Sequence, residues 1–297
     1  MEPLLSTSTA AARYRARLRR VLDYIDAHLH DDLRVERLSC IAAFSKYHFQ
    51  RQFSASYGVG VYRYIQMCRL KRAGYELAFR DGAVLQIALA NGYEGPEAFA
   101  RAFKKNFGQT PSDFREGPDW DAWHTAHRPL RELRSRTMTA ESQPNGVRIV
   151  DFPTTRVAAL EHRGHPNAMG DSVRTFIAWR RRNALSPDVS ATFNVVYRHE
   201  TDDCHYELCA ATERDVPAND VGVIAKVIPG GRCALLRHVG SEDTLPASID
   251  YLYAQWLPES GEELRDFPLY FQRVRMFPDA PEHEAVTDIF LPLKARA

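Results

Sequence analysis

The sequence predicts two domains: an all-α first half with two helix-turn-helix motifs joined by a long helix, and an α+β second half built as a pseudo-twofold pair. Three observations carry this. The chain has 297 residues, about twice a common single-domain length. In the first part a pattern of aromatic and basic residues returns after fifty positions, and beyond residue 145 a different pattern returns after seventy-six.

Composition bounds the class. Hydrophobic residues make up 44% and charged residues 26%, which is globular and too apolar for general disorder. The sequence has no uncharged apolar run of the roughly 18 residues a membrane helix needs, and Arg13, Arg15, Arg17, Arg19 and Arg20 arrive before any apolar signal core. The expected location is the cytoplasm, with no membrane partner. The cysteines Cys40, Cys68, Cys204, Cys209 and Cys233 are odd in number and scattered, as in a reducing compartment. The formal net charge of +1 hides a segregation: residues 10–117 hold 18 Lys and Arg against 11 Asp and Glu, whereas residues 145–297 hold 17 against 22. A basic first part suits a polyanion such as DNA, and an acidic second part suits a different ligand, a cationic one among the candidates.

The first hundred residues are helical in pattern, with Val21, Tyr24, Ile25 and Leu29 at helical spacing before His30-Asp31-Asp32. From 117 to 145 prolines recur at 118, 129 and 144 among Ser, Thr and Arg, and apolar periodicity fades, as expected of a linker. Its Trp120 and Trp123 are a candidate dock between the domains. Short strand-like runs then follow at Val147–Val150, Arg156–Leu160, Phe193–Tyr197, Tyr206–Ala211, Val221–Val227 and Ala234–Val239, interleaved with helical stretches near Ser172–Asn183 and Leu245–Leu257.

In the basic half Phe49, Arg51, Phe53, Tyr57 and Gly58 return as Phe99, Arg101, Phe103, Phe107 and Gly108, and Val35, Leu38 and Phe44 align with Val84, Ile87 and Tyr93 once one residue is inserted. Each copy is a short helix, a tight turn and a second helix, opened in the first copy by the capping residue Ser45. Phe49 and Phe53 face inward, so Tyr47, Gln50, Arg51 and Ser54 form an outward polar stripe, with Lys46 at its start. Glutamine can bond adenine edges, arginine guanine or phosphate, and tyrosine a thymine methyl or a phosphate. A solvated helix face is the bland alternative, which the duplication weakens. Residues 61–80 between the copies make a proline-free helix spanning roughly 30 Å, close to the ~34 Å of one B-DNA turn. Two recognition helices on one chain then reach successive major grooves, and a monomer suffices.

Residues 12–116 resemble the AraC/XylS family of bacterial transcription regulators. The landmarks are Leu38, Ser45-Lys46-Tyr47-His48-Phe49-Gln50-Arg51, Phe53, Gly58, Tyr64-Ile65, Arg69-Leu70, Ala73, Ile87-Ala88, Phe99, Arg101, Phe103-Lys104, Gly108, Thr110-Pro111 and Phe114-Arg115. The resemblance implies that Tyr47, Gln50 and Arg51 sit in a first major groove of double-stranded promoter DNA, that Arg101 and Lys104 serve the second, and that RNA polymerase is a partner of an activator. Where relatives carry Ser-Gln-Gln, this chain has Gly95-Pro96-Glu97. Glu97 accepts from cytosine N4 or weakens that half, so the second copy is expected to read less sequence than the first.

In the acidic half Pro153, Arg156, Ala158, Leu160, His162 and Gly164 recur as Pro229, Arg232, Ala234, Leu236, His238 and Gly240, and Tyr206-Glu207-Leu208 corresponds to Thr287-Asp288-Ile289. Residues 146–294 resemble the GyrI-like small-molecule-binding domain, through Val227-Ile228-Pro229-Gly230-Gly231, Arg237-His238-Val239-Gly240, Tyr253, Trp256, Pro268-Leu269-Tyr270-Phe271 and Thr287-Asp288-Ile289-Phe290-Leu291-Pro292-Leu293. The resemblance implies a last-strand glutamate among aromatics that holds cationic or amphipathic ligands. Asp288 occupies that position one methylene shorter, with Glu207, Trp179, Tyr197, Trp256 and Tyr270 as companions. A carboxylate walled by aromatics favours a cation that brings its own apolar body; ordinary core packing of the aromatics is the alternative.

The pairs His28 and His30, His162 and His165, and Cys204 and Cys209 are too sparse for a zinc site, and neither a Gly-x-Ser-x-Gly elbow nor a phosphate loop occurs. No metal, cofactor or catalytic residue is assigned. The expectation is a ligand-responsive, sequence-specific transcription regulator. The alternatives are a GyrI-like hydrolase using Asp288 or Glu207 beside Tyr270, and a regulator whose acidic half binds a protein partner or nothing.

Overall fold

The computed structural model describes residues 4–138, 146–199 and 203–295. They form two compact units: one of residues up to Leu133 with Pro281–His283, and one of Arg134–Ala280 with the residues from Glu284 onward. Among the described residues no helix is long and apolar enough to cross a membrane.

The first unit contains helices α1 (Leu4–Ala27), α2 (Val35–Ile41), α3 (Lys46–Tyr57), α4 (Val61–Phe79), α5 (Val84–Ala90), α6 (Pro96–Phe107) and α7 (Pro111–Glu116). The two expected helix-turn-helix pairs are α2–α3 and α5–α6. Their tight turns repeat in backbone as well as in sequence, since Ala43 (φ 52°) and its counterpart Gly92 (φ 71°) are both left-handed. Ser45 caps α3 by accepting from the His48 amide, and Thr110 and Asp113 make a reciprocal capping box at α7. Both recognition helices stop at a left-handed glycine, Gly58 or Gly108.

Helix α4 is shared by two cores. Its first half (Tyr64, Ile65, Cys68) packs with Ile25, Leu38, Phe49 and Phe53, and its second half (Leu70, Ala73, Leu77) with Ile87, Phe99, Phe103 and Phe114. A further helix, α8 (Trp120–Met138), occupies most of the stretch read as a linker. That reading needs correction. Trp120 and Trp123 are buried in the second core rather than held out as a dock, and Leu130 and Leu133 are buried in the first. Pro129 lies inside the helix, where it removes one backbone donor without ending the helix, because both flanking apolar pairs are anchored. Residues 139–145 of the expected linker lie outside the described residues.

The approach of α8 depends on Gly74 of α4. A Cβ there would stand 1.8 Å from Cζ3 of Trp123, a distance no packed carbon tolerates.

The second unit is an eight-stranded antiparallel sheet with its two helices side by side on one face. Its strands are β1 (Arg148–Phe152), β2 (Thr155–Gly164), β3 (Thr192–His199), β4 (Cys204–Ala211), β5 (Ile224–Ile228), β6 (Gly231–Val239), β7 (Tyr270–Arg275) and β8 (Val286–Pro292). Their order is β1-β6-β8-β7-β3-β4-β2-β5, which is a palindrome when β1–β4 are mapped on β5–β8. Each repeat lends its first strand to the other: β1 pairs with β6 and β5 with β2. The two expected helices are α9 (Met169–Arg182) and α10 (Leu245–Tyr251), the latter continued by a π turn over Leu252–Trp256 and a short helix, α11 (Leu257–Ser260).

Alternation sorts each strand into two faces. Ala158, Leu160, Leu208 and Ala210 pack under α9 with Phe176 and Trp179, and Ala234, Leu236, Ile289 and Leu291 under α10 with Leu245 and Leu252. A repeated bond ties each helix to the sheet: His162 Nδ1 meets Ser172 Oγ at 2.8 Å, and His238 Nδ1 meets Ser248 Oγ at 2.9 Å. The opposite face carries Phe193, Val195, Cys209, Tyr270 and Phe290 with Phe152 from the edge strand.

Two outcomes test this packing. Gly74→Ala should destabilise the first unit by about 1–3 kcal/mol, read by urea unfolding followed through tryptophan fluorescence. Burial lowers the His238 pKa from its ordinary 6.5, so the unfolded chain takes up that proton more readily than the folded one. The His238 contribution is therefore intact above pH 6.5 and lost as pH falls below it. Thermal melting followed from about pH 7.5 to about pH 5 should show this loss, and His238→Gln should flatten it.

Candidate nucleic-acid interface and ligand face

The sequence places a polar stripe on α3, and burial shows which way it points. Phe49 and Phe53 are 0% exposed whereas Tyr47 is 84% exposed. Lys46, Gln50, Arg51 and Ser54 are exposed with it. Phe49 and Phe53 meet edge to face at 5.8 Å, and Phe53 meets Tyr64 of α4 in the same way, which fixes the roll of α3 about its axis. Lys46 is tethered to Glu36 of α2, and that carboxylate raises the lysine pKa. The ion pair links the two helices of the first motif. Sequence spacing missed it because the partners are ten positions apart across a turn.

The second copy repeats the arrangement. Phe99, Phe103 and Phe107 are buried, whereas Glu97, Arg101 and Lys104 are exposed on α6. Gly95 provides no side-chain cap, and Pro96 and Glu97 form the first turn. A carboxylate there complements the positive end of the helix dipole, as Lys104 and Lys105 complement the negative end. Glu97 therefore has a local structural role beside any DNA role. Two groups were not found from sequence: Tyr62, 61% exposed in the first turn of α4, and Arg63, which donates to Asn106 Oδ1 at 3.0 Å and so ties α4 to the end of α6. Neither lies on the repeat that guided the reading.

The six expected ligand residues divide between the faces of the sheet. Glu207, Tyr197, Tyr270 and Asp288 belong to the face away from the helices, because they alternate with core residues beneath α9 and α10. Trp179 packs beneath α9, stacked parallel to Phe176, and the half-buried Trp256 packs against the core beneath α10. Both tryptophans are thus separated from the carboxylates by the sheet itself. Their inclusion in one pocket is corrected: helical spacing gave no indication of which side of the sheet would receive them.

Tyr270 is fully buried. Its ring stacks on Phe290 at 5.1 Å and receives the edge of Phe152 at 5.0 Å. Its hydroxyl pairs with the Cys233 thiol at 3.3 Å, and burial raises its pKa. Tyr197 is 43% exposed and stacks on His205. Burial of its hydroxyl, and then the Glu207 charge, push its pKa up to about 12.

The carboxylates are not left open. Asp288 receives a two-pronged bond from Arg237, Nε to Oδ1 and Nη2 to Oδ2, each 2.7 Å. Glu207 is paired with Lys226. The carboxylates expected to favour an arriving cation thus already face one from the chain itself. Arg237 stands directly opposite Asp288 in the β6–β8 register, so the bridge is a cross-strand pair of the kind antiparallel sheets favour. Among the described residues no three His, Cys, Asp or Glu side chains gather as metal ligands.

Known proteins match both units. The model of the GyrI-like small molecule binding domain matches residues 146–294, and that of a helix-turn-helix domain matches residues 38–117. The probable transcriptional regulator YgiV of Escherichia coli strain K12 is 34% identical over 152 residues, covering 50% of this chain and 95% of that protein. An uncharacterized HTH-type transcriptional regulator of Staphylococcus aureus strain COL is 35% identical over 99 residues, 33% of this chain and 13% of that one. The EcmrR–DNA complex solved by cryo-EM in EcmrR-RPo is similar at 14% identity, with a TM-score of 0.45, over 88% of this chain and 99% of that one. The chain belongs to the family of proteins with a GyrI-like small-molecule-binding domain, preceded here by an AraC-type helix-turn-helix domain.

Proposed function

We propose that the chain is a ligand-responsive, sequence-specific transcription regulator in which α3 and α6 enter successive major grooves of promoter DNA. One observation carries the DNA reading: in each copy the phenylalanines of the recognition helix are buried while its Arg and Lys or Gln side chains are exposed. The nineteen residues of α4 extend about 28 Å at ~1.5 Å each, near one turn of B-DNA. In the first groove Tyr47, Gln50 and Arg51 address base edges while Lys46 and Ser54 meet backbone, and in the second Arg101 and Lys104 meet DNA beside the acidic Glu97. One chain provides both grips, so a monomer is sufficient. A regulator working on the chromosome acts in the cytoplasm and contacts RNA polymerase.

The second domain binds the effector on the sheet face that bears Glu207, Tyr197, Tyr270 and Asp288. The ligand biases the DNA-competent arrangement to the extent that it binds that arrangement more tightly. A hydrolase role is the weaker reading, since Arg237 occupies both oxygens of Asp288 and Lys226 engages Glu207.

The grooves are tested by substitution on an operator selected from random duplex. Arg51→Ala should cost about 1–3 kcal/mol of binding and relax the preference at one base pair. Lys104→Ala should weaken all sequences alike and reduce the salt slope by about one. Glu97→Gln should strengthen binding without changing the selected motif, as loss of a charge repelling phosphate requires. Unchanged affinity in both Arg51→Ala and Lys104→Ala would remove the face assignment.

A further inference from the structure

The charge layering on the sheet face specifies which ligands it takes. Asp288 and Glu207 hold equivalent places in the two repeats, and their side chains are 8% and 4% exposed, whereas the cations that pair with them, Arg237 and Lys226, are 46% and 34% exposed. In both halves the base lies outside and the acid behind it. The two cations are not copies of one ancestral position. Seventy-six places earlier, Arg237 corresponds to Glu161 and Lys226, seventy-six places later than Val150, corresponds to that valine. Each repeat therefore neutralises its carboxylate by a separate route, which gives two independent instances of the same layering. The third acid of the face, Glu161, is held by Arg163 at 2.8 Å and by His205 at 2.6 Å.

A lipophilic cation entering here must first break a tethered, charge-assisted fork to reach Asp288, and that fork costs far more to break than a solvated surface pair. An anion has no such barrier. Arg237 uses two of its five N–H donors on Asp288, and the guanidinium retains others for a planar acceptor. On the same face of the sheet lies the half-exposed Tyr197 ring, with Phe152, Tyr270 and Phe290 buried as its apolar floor. We propose that the second domain takes a small amphipathic organic anion, an aromatic or aliphatic body with a carboxylate or sulfonate, and that its acceptor oxygens meet Arg237 in one half of the face or Lys226 at the equivalent place in the other. This rests on the reading of this face as the effector site.

Three probes sharing one ring system test it: 2-naphthoate, 2-naphthol and 2-naphthylmethylammonium, titrated into the full chain by calorimetry with thermal shift alongside. The expected order is naphthoate, then naphthol, then the ammonium, with at least tenfold between the ends. Arg237→Gln alone strands a buried carboxylate, so the variants are the charge-neutral doubles Arg237→Gln with Asp288→Asn and Lys226→Met with Glu207→Gln. Each should keep the melting temperature near that of the parent and narrow the anion preference severalfold. A preference for the ammonium, weakened by the same doubles, would overturn the inference and leave the effector site standing. An anion preference that both doubles leave intact would also overturn it. Failure of all three probes to bind would overturn the inference and the effector-site reading together.

Discussion

Two phenylalanines one helical turn apart, Phe49 with Phe53 and again Phe99 with Phe103, are the constraint from which the first domain follows. Each pair is fully buried and drives its helix onto α4 by removing large aromatic surfaces from water. A helix anchored along one stripe has its other stripe fixed as well. The outward direction of Gln50, Arg51, Arg101 and Lys104 is thus a consequence of what the phenylalanines touch. The rod between the motifs has its own requirement: α4 serves both cores, so neither motif can reorient without repacking its half of that helix.

In the second domain the comparable constraint is the exchange of edge strands. Because β1 completes the repeat that contains β6, and β5 completes the one that contains β2, neither repeat closes its sheet alone. The exchange brings Lys226 of β5 to Glu207 across β2, and Phe152 of β1 into the aromatic cluster of the other half. The charge pattern of the proposed ligand face is in this sense a product of topology. Asp288 and Glu207 lie buried and are paired with cations delivered across strands, as buried carboxylates require.

The fold was legible in sequence wherever a pattern was both local and repeated. Both helix-turn-helix units followed from the fifty-residue repeat with Ser45 and Gly58 as punctuation, and the pseudo-twofold followed from the seventy-six-residue repeat, whose offset the strands β1 and β2 reproduce in β5 and β6. Helix α8 was not legible. Its anchors Trp120, Trp123, Leu130 and Leu133 are embedded in a stretch of Arg, His, Thr and Pro whose composition imitates a linker, and its burial depends on Gly74, far away in sequence.

The amino-acid order alone determined the number of domains, the duplication inside each, the inward and outward stripes of the recognition helices, and the identity of Glu207 and Asp288 as equivalent acids. These are properties of spacing, and spacing is set by covalent geometry of 3.6 residues per turn or two per pleat. The tertiary structure alone decided which side of the sheet received Trp179 and Trp256, and that Arg237 and Lys226 cover the carboxylates. Both depend on contacts between strands and helices distant in the chain, which no local pattern encodes.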